Sequence, residues 1–322
     1  MSLKIQKPVA LRVTAPARLH LGFLDLNGDL GRRFGSIGLS LDQPATQLTI
    51  SKASETKASG PEHERVLKLL NSFASAAGSG HYAVTVEEAI PAHAGLGSGT
   101  QLALAIGAGI AQLEGRTVSA DELAKLGERG ARSGIGLAAF MGGGFLVDGG
   151  RGQHDTPPPL TLRSDFPDHW RALLILDRDH VGVSGEAESA AFAALPPFPK
   201  SMAAHICHLV LMKMVPGLKE ADISAFGAAL SEIQEIVGKH FAVRQGGSAW
   251  TSPAVGQLAA KMRALGATGI GQSSWGPTGF AFVESPQSAD RLYHSLIGDA
   301  KANRLDIVIA RGRNSPALIG VA

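Results

Sequence analysis

Apolar and polar positions along the chain follow two periods, one typical of strands and one typical of helices. Strand patterns occupy residues 9–15, 47–51 and 82–90, and an amphipathic helix pattern occupies residues 62–73. Residues 102–113 are apolar or small at almost every position, so no polar stripe remains for solvent. This pattern predicts a helix buried on all sides, whose alanines and glycines allow neighbouring elements to approach closely.

The second half alternates helix and strand patterns in the same way. Buried strands are predicted at residues 170–177, 279–283 and 305–310. Helices are predicted at residues 186–194, 201–214, 223–237, 253–265 and 289–297. This mixture indicates an α+β fold built of packed layers.

Residues 152–159 contain three consecutive prolines and mark a boundary between two domains. We predict a first domain at residues 1–160, with a phosphate loop at 91–101, and a second at residues 161–322, with a glycine loop at 266–278. A chain of 322 residues with 44% hydrophobic residues is long enough to bury a core in each.

The phosphate loop lies between a predicted strand and the predicted buried helix. The backbone can bend freely at its glycines, Gly95, Gly97 and Gly99. Ser98 and Thr100 are predicted to cap the helix, and the N–H groups and dipole at a helix N-terminus attract an anion such as phosphate. A plain glycine turn with nothing bound is the alternative.

Basic side chains occur near two of the glycine-rich stretches. Arg18 and His20 are two residues apart, so they share one face of an extended segment. Arg32 and Arg33 lie beside glycines. Each single arginine fits a solvated surface equally well, but the four together favour an anionic ligand.

Composition excludes several function classes. The 30 basic and 28 acidic residues give a net charge of +2, which does not indicate binding to nucleic acid or to an anionic membrane surface. One cysteine, Cys207, excludes an internal disulfide and fits a reducing compartment. No signal-peptide pattern and no run of about 18 apolar residues occurs. We therefore expect a cytoplasmic protein with small-molecule substrates, no nucleic acid and no membrane as partners.

The sequence lacks the complete motifs of several other binding and catalytic sites. Residues 95–99 lack the Lys-Ser or Lys-Thr of a Walker A motif and the spacing of a dinucleotide fingerprint. Ser98, between two glycines, has no clear partners for a nucleophile elbow. His205 and His208 lie one helical turn apart, but no third zinc ligand is evident.

Two of the glycine-rich segments resemble motifs of the GHMP kinase superfamily. Residues 91–98 (PAHAGLGS) resemble its second motif, and residues 269–276 (GIGQSSWG) resemble its third. The resemblance implies a two-domain α+β fold, with a ribosomal-protein-S5-domain-2-like N-terminal domain and a ferredoxin-like C-terminal domain. It also implies a homodimer.

A closer resemblance is to the β-ribofuranosylaminobenzene 5′-phosphate synthases, a branch of this superfamily. It rests on residues 17–22 (ARLHLG), 35–39 (GSIGL), 95–102 (GLGSGTQL), 132–136 (RSGIG) and 271–278 (GQSSWGPT). Gly99 stands where the general kinases have a second serine. The aspartate base of many of these kinases has no counterpart at Gly136, and no carboxylate follows until Asp148.

This resemblance implies phosphoribosyl transfer from 5-phosphoribosyl 1-pyrophosphate to 4-aminobenzoate or 4-hydroxybenzoate, with decarboxylation. The product would be a C-riboside 5′-phosphate for (tetrahydro)methanopterin biosynthesis and one-carbon metabolism. Mg²⁺ is expected, and no organic cofactor. ATP is expected only in the alternative function, an ATP-dependent small-molecule kinase of the superfamily. A non-catalytic nucleotide-binding member is the second alternative.

On this reading of the function, we hypothesise roles for individual residues. The catalytic group, which would bind phosphate or the benzoate carboxylate, is Arg18, His20 and Arg32. Pyrophosphate would lie on Gly95, Leu96, Gly97, Ser98, Gly99, Thr100 and Gln101. Substrate binding is assigned to Arg132, Ser133, Gln272, Ser273, Ser274 and Trp275. Packing is the alternative for Trp275, and Mg²⁺ is assigned to Asp177 and Asp179.

Overall fold

Two β-sheets organise this computed structural model, which describes residues 10–77, 80–119, 122–123, 133–153, 156–182 and 190–322. The strands are β1 (Ala10–Asp25), β2 (Phe34–Ala53), β3 (Lys57–Ser59), β4 (His81–Glu88), β5 (Phe145–Asp148), β6 (Leu160–Ser164), β7 (Arg171–Asp177), β8 (Thr268–Gln272), β9 (Gly279–Val283), β10 (Leu305–Ala310) and β11 (Leu318–Val321). The helices include α1 (His63–Ala77), α2 (Ser98–Leu113), α3 (Ile135–Gly142), α4 (Lys200–Leu209), α5 (Val215–Lys219), α6 (Ile223–Phe241), α7 (Pro253–Ala264) and α8 (Pro286–Ala302). The α+β prediction is confirmed.

The long antiparallel pair β1 and β2 forms the centre of the first sheet. Its strand order is β11-β1-β2-β4-β3, with β5 paired to β2 and β6 paired to β5. β1 continues well beyond the predicted strand at residues 9–15 and carries both Arg18 and His20. Register shifts interrupt β1 between Pro16 and Arg18 and again just after His20. Such shifts break the two-residue alternation of apolar and polar positions. The sequence pattern therefore predicted a strand that ends before the observed one.

α2 packs on the first sheet as the predicted buried helix. It begins at Ser98, ahead of the predicted start at residue 102. A Cβ added to Gly109 would lie only 2.7 Å from the Cγ2 atom of Ile50, so the helix backbone approaches the sheet too closely for a larger residue. The predicted role of the small residues in close packing is confirmed.

The second sheet has the antiparallel order β10-β7-β9-β8, with α6 on one face and α7 and α8 on the other. The sequence predicted a single glycine loop at residues 266–278, and this is wrong for its first part, since residues 268–272 form strand β8. Gly271 serves packing there, because a Cβ would lie 2.3 Å from the Gln234 side chain. The actual loop is residues 273–278, called the third loop below.

Most of the other predicted elements are present, with shifted ends. The amphipathic helix at residues 62–73 is α1, and the helices at 223–237, 253–265 and 289–297 are α6, α7 and α8. The predicted helix at residues 186–194 lies mostly outside the described residues.

Two strands bear on the predicted domain division at residue 160. β6 pairs with β5, and β11 pairs with β1, so residues 160–164 and 318–321 both extend the first sheet. The division into residues 1–160 and 161–322 stays a prediction, and the first sheet draws strands from both sides of it.

Residues Lys200–Lys219 form one 20-residue helical stretch that is apolar and long enough, by length and composition alone, to cross a membrane. Its middle is a π-helical turn, Val210–Met214. Ile206, Leu209 and Met214 are buried in the core beside α6. The stretch therefore contributes to the protein core, as many apolar helices do.

Candidate active site

The phosphate loop ends at the N-terminus of α2. Gly97 is the N-cap residue, in the left-handed conformation with φ 82°, and it gives no side-chain cap hydrogen bond. Gln101 N donates to Gly97 O at 3.0 Å, so the amides of Ser98, Gly99 and Thr100 have no partner within the helix. The prediction that Ser98 and Thr100 cap the helix is wrong, because a glycine occupies that position. These amides and the helix dipole still favour an anion.

Arg18 supports the phosphate loop from β1. Its backbone N–H donates to Leu96 O at 3.0 Å, and its Nη1 donates to Gly95 O at 2.7 Å. A Cβ added to Gly97 would lie 3.2 Å from the Arg18 Cγ atom. The guanidinium thus holds the loop backbone at the start of α2, where it adds positive potential.

The third loop closes on the phosphate loop through Ser273, which is 0% exposed. Ser273 Oγ donates to Gly95 O at 2.7 Å and accepts from His20 N at 3.0 Å. A Cβ on Gly276 would lie 2.5 Å from Ala94 O. The two loops and β1 are therefore in direct backbone contact, which brings the predicted residues of three distant segments together.

Gln272 and Trp275 hold the third loop from behind. Gln272 Nε2 donates to Ser274 O at 3.1 Å, and its Oε1 accepts from Thr251 N at 2.6 Å. Trp275 is 2% exposed and stacks on Phe241, with ring centroids 4.4 Å apart. The structure therefore places Trp275 in packing, and its direct contact with a substrate stays a prediction.

The segment at residues 133–136 contacts the first turn of α2. Gln101 is buried and its Nε2 donates to Gly136 O at 2.8 Å. A Cβ on Gly136 would lie 3.0 Å from the Thr100 Cγ2 atom. The place where many kinases of the superfamily carry a base is thus filled by tight packing against Thr100. Arg132 lies outside the described residues.

Asp148, to which the sequence assigned no role, is a fully buried carboxylate at the end of β5, 0% exposed. Its Oδ1 accepts from Ser36 N at 3.0 Å and Gly150 N at 2.9 Å, and its Oδ2 accepts from Gly134 N at 2.8 Å and Ser133 Oγ at 3.2 Å. Burial raises the pKa of Asp148, although the four donated hydrogen bonds act in the opposite direction. Asp148 therefore joins β2, β5 and the segment before α3.

This raised pKa predicts a pH dependence of stability. The folded protein holds the Asp148 proton more tightly than the unfolded chain, so the contribution is full below the unfolded pKa, about 4, and is lost as pH rises through the folded pKa. We expect the stability advantage of wild type over Asp148→Asn to fall as pH rises above about 4, measured by denaturant titration at a series of pH values. A rising advantage would mean that the four donors, and not burial, control the ionisation.

Arg32 is exposed, and its guanidinium is engaged next to Asp148. Its Nε donates to Gly149 O at 2.6 Å and its Nη2 donates to Gly150 O at 2.6 Å. These contacts fix Arg32 against the turn that follows β5. Its assignment to phosphate or carboxylate binding stays a prediction.

Asp177 and Asp179 do not fit a magnesium site in this arrangement. Asp177 Oδ1 accepts from Asp179 N at 2.8 Å, and its Oδ2 lies 2.9 Å from His180 Nδ1. Asp179 pairs with Arg304 at 2.6 Å. Among the described residues, no three His, Cys, Asp or Glu side chains are grouped as metal ligands. Both aspartates therefore stabilise the turn after β7.

Comparisons with known proteins agree with this arrangement in both halves of the chain. The family model for the GHMP kinases N terminal domain matches residues 64–144, and the GHMP kinases C terminal model matches residues 214–301. The homoserine kinase of Cytophaga hutchinsonii superposes with a TM-score of 0.69 over 99% of both chains, at 17% identity. At that identity the likeness shows the fold alone.

Curated relatives carry a more specific name. The chain is 31% identical over 335 residues to the β-ribofuranosylphenol 5′-phosphate synthase of Methanothermobacter thermautotrophicus, covering 97% of this chain and 99% of the relative. It is 37% identical over 290 residues to the enzyme of that name from Archaeoglobus fulgidus, covering 85% of this chain and 88% of the relative. The chain therefore belongs to the β-ribofuranosylphenol 5′-phosphate synthase family of the GHMP kinase superfamily and is a phosphoribosyl-type synthase.

Proposed function

We propose that this enzyme transfers the phosphoribosyl group of 5-phosphoribosyl 1-pyrophosphate to the ring carbon of 4-hydroxybenzoate that carries the carboxylate, with loss of CO₂. The observation that carries this proposal is the first turn of α2, whose amides have no partner within the helix. Arg18 and Ser273 bind the loop before it, and the neighbouring segment has Gly136 where many kinases of the superfamily carry a base. The name of the archaeal relatives supports a phenol product, and therefore favours the hydroxy acceptor over 4-aminobenzoate.

The reaction balances without an added base. The bond from ribose C1 to pyrophosphate breaks, and its electron pair leaves with pyrophosphate. The ring carbon then bonds to C1, and the bond to the carboxylate breaks so that its electron pair restores aromaticity and CO₂ leaves. No proton is removed from carbon, which suits a site where Gly136 packs on Thr100 and Asp148 is buried among four donors.

The protein's contribution is to bind the leaving anion and exclude water. In this proposal the amides of Ser98, Gly99 and Thr100 receive the negative charge that develops on pyrophosphate. Arg18 fixes the loop and adds positive charge, while His20 and Ser273 close the floor of the site. Exclusion of water protects the oxocarbenium-like ribose from hydrolysis.

The metal ion, the pathway, the location and the oligomeric state complete the proposal. Mg²⁺ would arrive with the diphosphate of the donor, because this ion commonly binds through substrate phosphates and keeps several waters. The product would serve (tetrahydro)methanopterin biosynthesis. We also propose that the enzyme is a cytoplasmic homodimer and that its substrates are small molecules.

Turnover tests the proposal directly. Purified enzyme is incubated with 5-phosphoribosyl 1-pyrophosphate, Mg²⁺ and carboxyl-labelled 4-hydroxybenzoate, and labelled CO₂ and pyrophosphate are followed. We expect equal amounts of both, with no requirement for ATP. ADP formation from ATP with an alcohol substrate, and no CO₂ release, would instead establish the kinase alternative. Binding of the donor without any product would establish a non-catalytic member.

A further inference from the structure

Gln234 on α6 joins the two sheets through the amide of its side chain. Its Nε2 donates to Leu21 O on β1 at 2.8 Å, and its Oε1 accepts from Gln272 N on β8 at 2.8 Å. A primary amide carries both donors and an acceptor, so this one side chain serves a carbonyl of one strand and an N–H of the other. Gln234 therefore forms a bridge between the first sheet and the second.

The bridge binds backbone groups at places where strand pairing is interrupted or ends. The register of β1 with β2 passes from His20 to Gly22 and leaves Leu21 without a counterpart, as in a bulge. β8 is an edge strand that pairs with β9 on one side only. Because a buried backbone group without a partner is costly, the hydrogen bonds of the bridge stabilise both strands at these places.

Glycines on both strands make room for α6 at the bridge. A Cβ added to Gly271 would lie 2.3 Å from the Gln234 Cδ atom. A Cβ added to Gly22, at a φ of 143° that favours glycine, would lie 2.9 Å from the Cγ2 atom of Ile233. Both strands therefore approach α6 closely, and the amide lies between them in a defined position.

The bridge ends one residue away from the candidate active site on each strand. Leu21 follows His20, and Gln272 precedes Ser273. His20 N donates to Ser273 Oγ at 3.0 Å, and Ser273 Oγ donates to Gly95 O at 2.7 Å. A continuous path of hydrogen bonds and backbone thus runs from the bridge through β1 and β8 to the phosphate loop.

We infer that Gln234 is a positioning residue for the phosphate loop, since its amide fixes the spacing between β1 and the third loop. With that spacing fixed, Ser273 holds the loop backbone where the α2 amides meet pyrophosphate. This rests on the proposed function. Oriented donors stabilise a developing charge only at hydrogen-bond distance, so loss of the bridge weakens pyrophosphate binding. In this role Gln234 acts through Ser273 and Gly95 and does not itself touch the anion.

Ser231 offers a matched control on the same helix and the same strand. Its Oγ accepts from Ile270 N at 3.2 Å, one helical turn before Gln234. Within the described residues, this hydrogen bond involves neither β1 nor the third loop. Ser231→Ala therefore removes a partner from the edge of β8 and leaves the path to the phosphate loop intact.

The first experiment titrates pyrophosphate, with Mg²⁺, onto wild type, Gln234→Met and Ser231→Ala. Methionine keeps an unbranched, flexible side chain and has no amide. We expect the Kd to rise at least about tenfold in Gln234→Met and to stay within about twofold of wild type in Ser231→Ala.

Turnover separates positioning from a loss of folded protein. For Gln234→Met we expect kcat/KM for the phosphoribosyl donor to fall at least about tenfold, with KM for 4-hydroxybenzoate within about twofold. A smaller fraction of folded enzyme would instead lower kcat and leave the Kd for pyrophosphate and both KM values unchanged. That result would overturn the inference.

A double-mutant cycle tests whether Gln234 acts through Ser273. If it does, the two losses of pyrophosphate affinity are not additive, and Gln234→Met combined with Ser273→Ala binds about as well as Ser273→Ala alone. Additive losses would overturn this route.

The remaining outcomes distinguish the inference from the proposed function. Equal pyrophosphate affinity in wild type and Gln234→Met would overturn the inference, as would an equal loss in Ser231→Ala. If wild type binds pyrophosphate and releases no CO₂ from 4-hydroxybenzoate, while Gln234→Met binds pyrophosphate weakly, only the proposed reaction is rejected. Absence of pyrophosphate binding to wild type would reject both.

Discussion

Gly95→Ala is expected to lower turnover at least about 100-fold, because a displacement of about 1 Å at a catalytic group can have that effect. The added Cβ would lie 2.3 Å from Ser273 O and 3.0 Å from the Gly276 Cα atom, at a φ of 79° that disfavours alanine. Neither neighbour is a flexible side-chain end, so one backbone segment must move. The hydrogen bond from Ser273 Oγ to Gly95 O, now 2.7 Å, would then be lost.

Gly266→Ala is the matched control. Gly266 also has a positive φ, 95°, but nothing lies within 4 Å of its added Cβ. Its alanine variant therefore carries backbone strain of about 1 to 2 kcal/mol without the collision. Labelled CO₂ release and thermal unfolding should separate the two variants. Full activity in Gly95→Ala would remove the phosphate loop from the active site, whereas equal losses in both would point to general destabilisation.

Asp148→Ala is expected to have the largest effect on stability, about 3 to 5 kcal/mol, because each buried donor left without an acceptor costs about 1 to 3 kcal/mol. The substitution leaves three backbone amides and the Ser133 hydroxyl without their acceptor in the interior. It also frees the segment before α3, so activity should fall together with stability. The midpoint of denaturant unfolding measures the first effect.

Asp165→Ala controls for the loss of an aspartate as such. Asp165 pairs with Arg163 at 2.9 Å, and its side chain is 71% exposed. Exposed ion pairs contribute at most about 1 kcal/mol, so this variant should unfold close to wild type. Similar destabilisation in both variants would show that the four buried hydrogen bonds at Asp148 have little net value.

Local patterns predicted the buried helix at the site and the placement of Arg18 and His20. The all-apolar stretch at residues 102–113 predicted a buried helix, and Gly109 against Ile50 shows why small residues occur there. The spacing of Arg18 and His20 predicted that they share one face of an extended segment, and both lie in β1 and contact the loops of the site. Such features depend on neighbours in sequence, which periodicity reports.

Features that depend on distant partners were missed. The hydrogen bonds of Asp148 include donors from segments far apart in sequence. The local sequence shows only an acidic residue between a buried strand and two glycines, which does not predict this network. The glycines at residues 269 and 271 suggested a loop, yet they serve close packing within β8. The hydroxyls of Ser98 and Thr100 suggested a helix cap, but Gly97 occupies the N-cap position and no side chain caps the helix. In each case the local sequence was compatible with more than one structure, and contacts with distant residues determined which one forms.

The pairing of β11 with β1 has a consequence for how the chain acquires its fold. Leu11 pairs with Val321, and Val13 pairs with Ile319. The first sheet therefore gains this strand only after residues 318–321 have been synthesised and brought back across the molecule. Contacts of such sequence separation slow folding, because loop closure precedes any gain from pairing. A fragment ending at residue 160 would lack this strand and the Ser273 contact with Gly95, and we expect it to depend on chaperones or to aggregate through the open edge of β1.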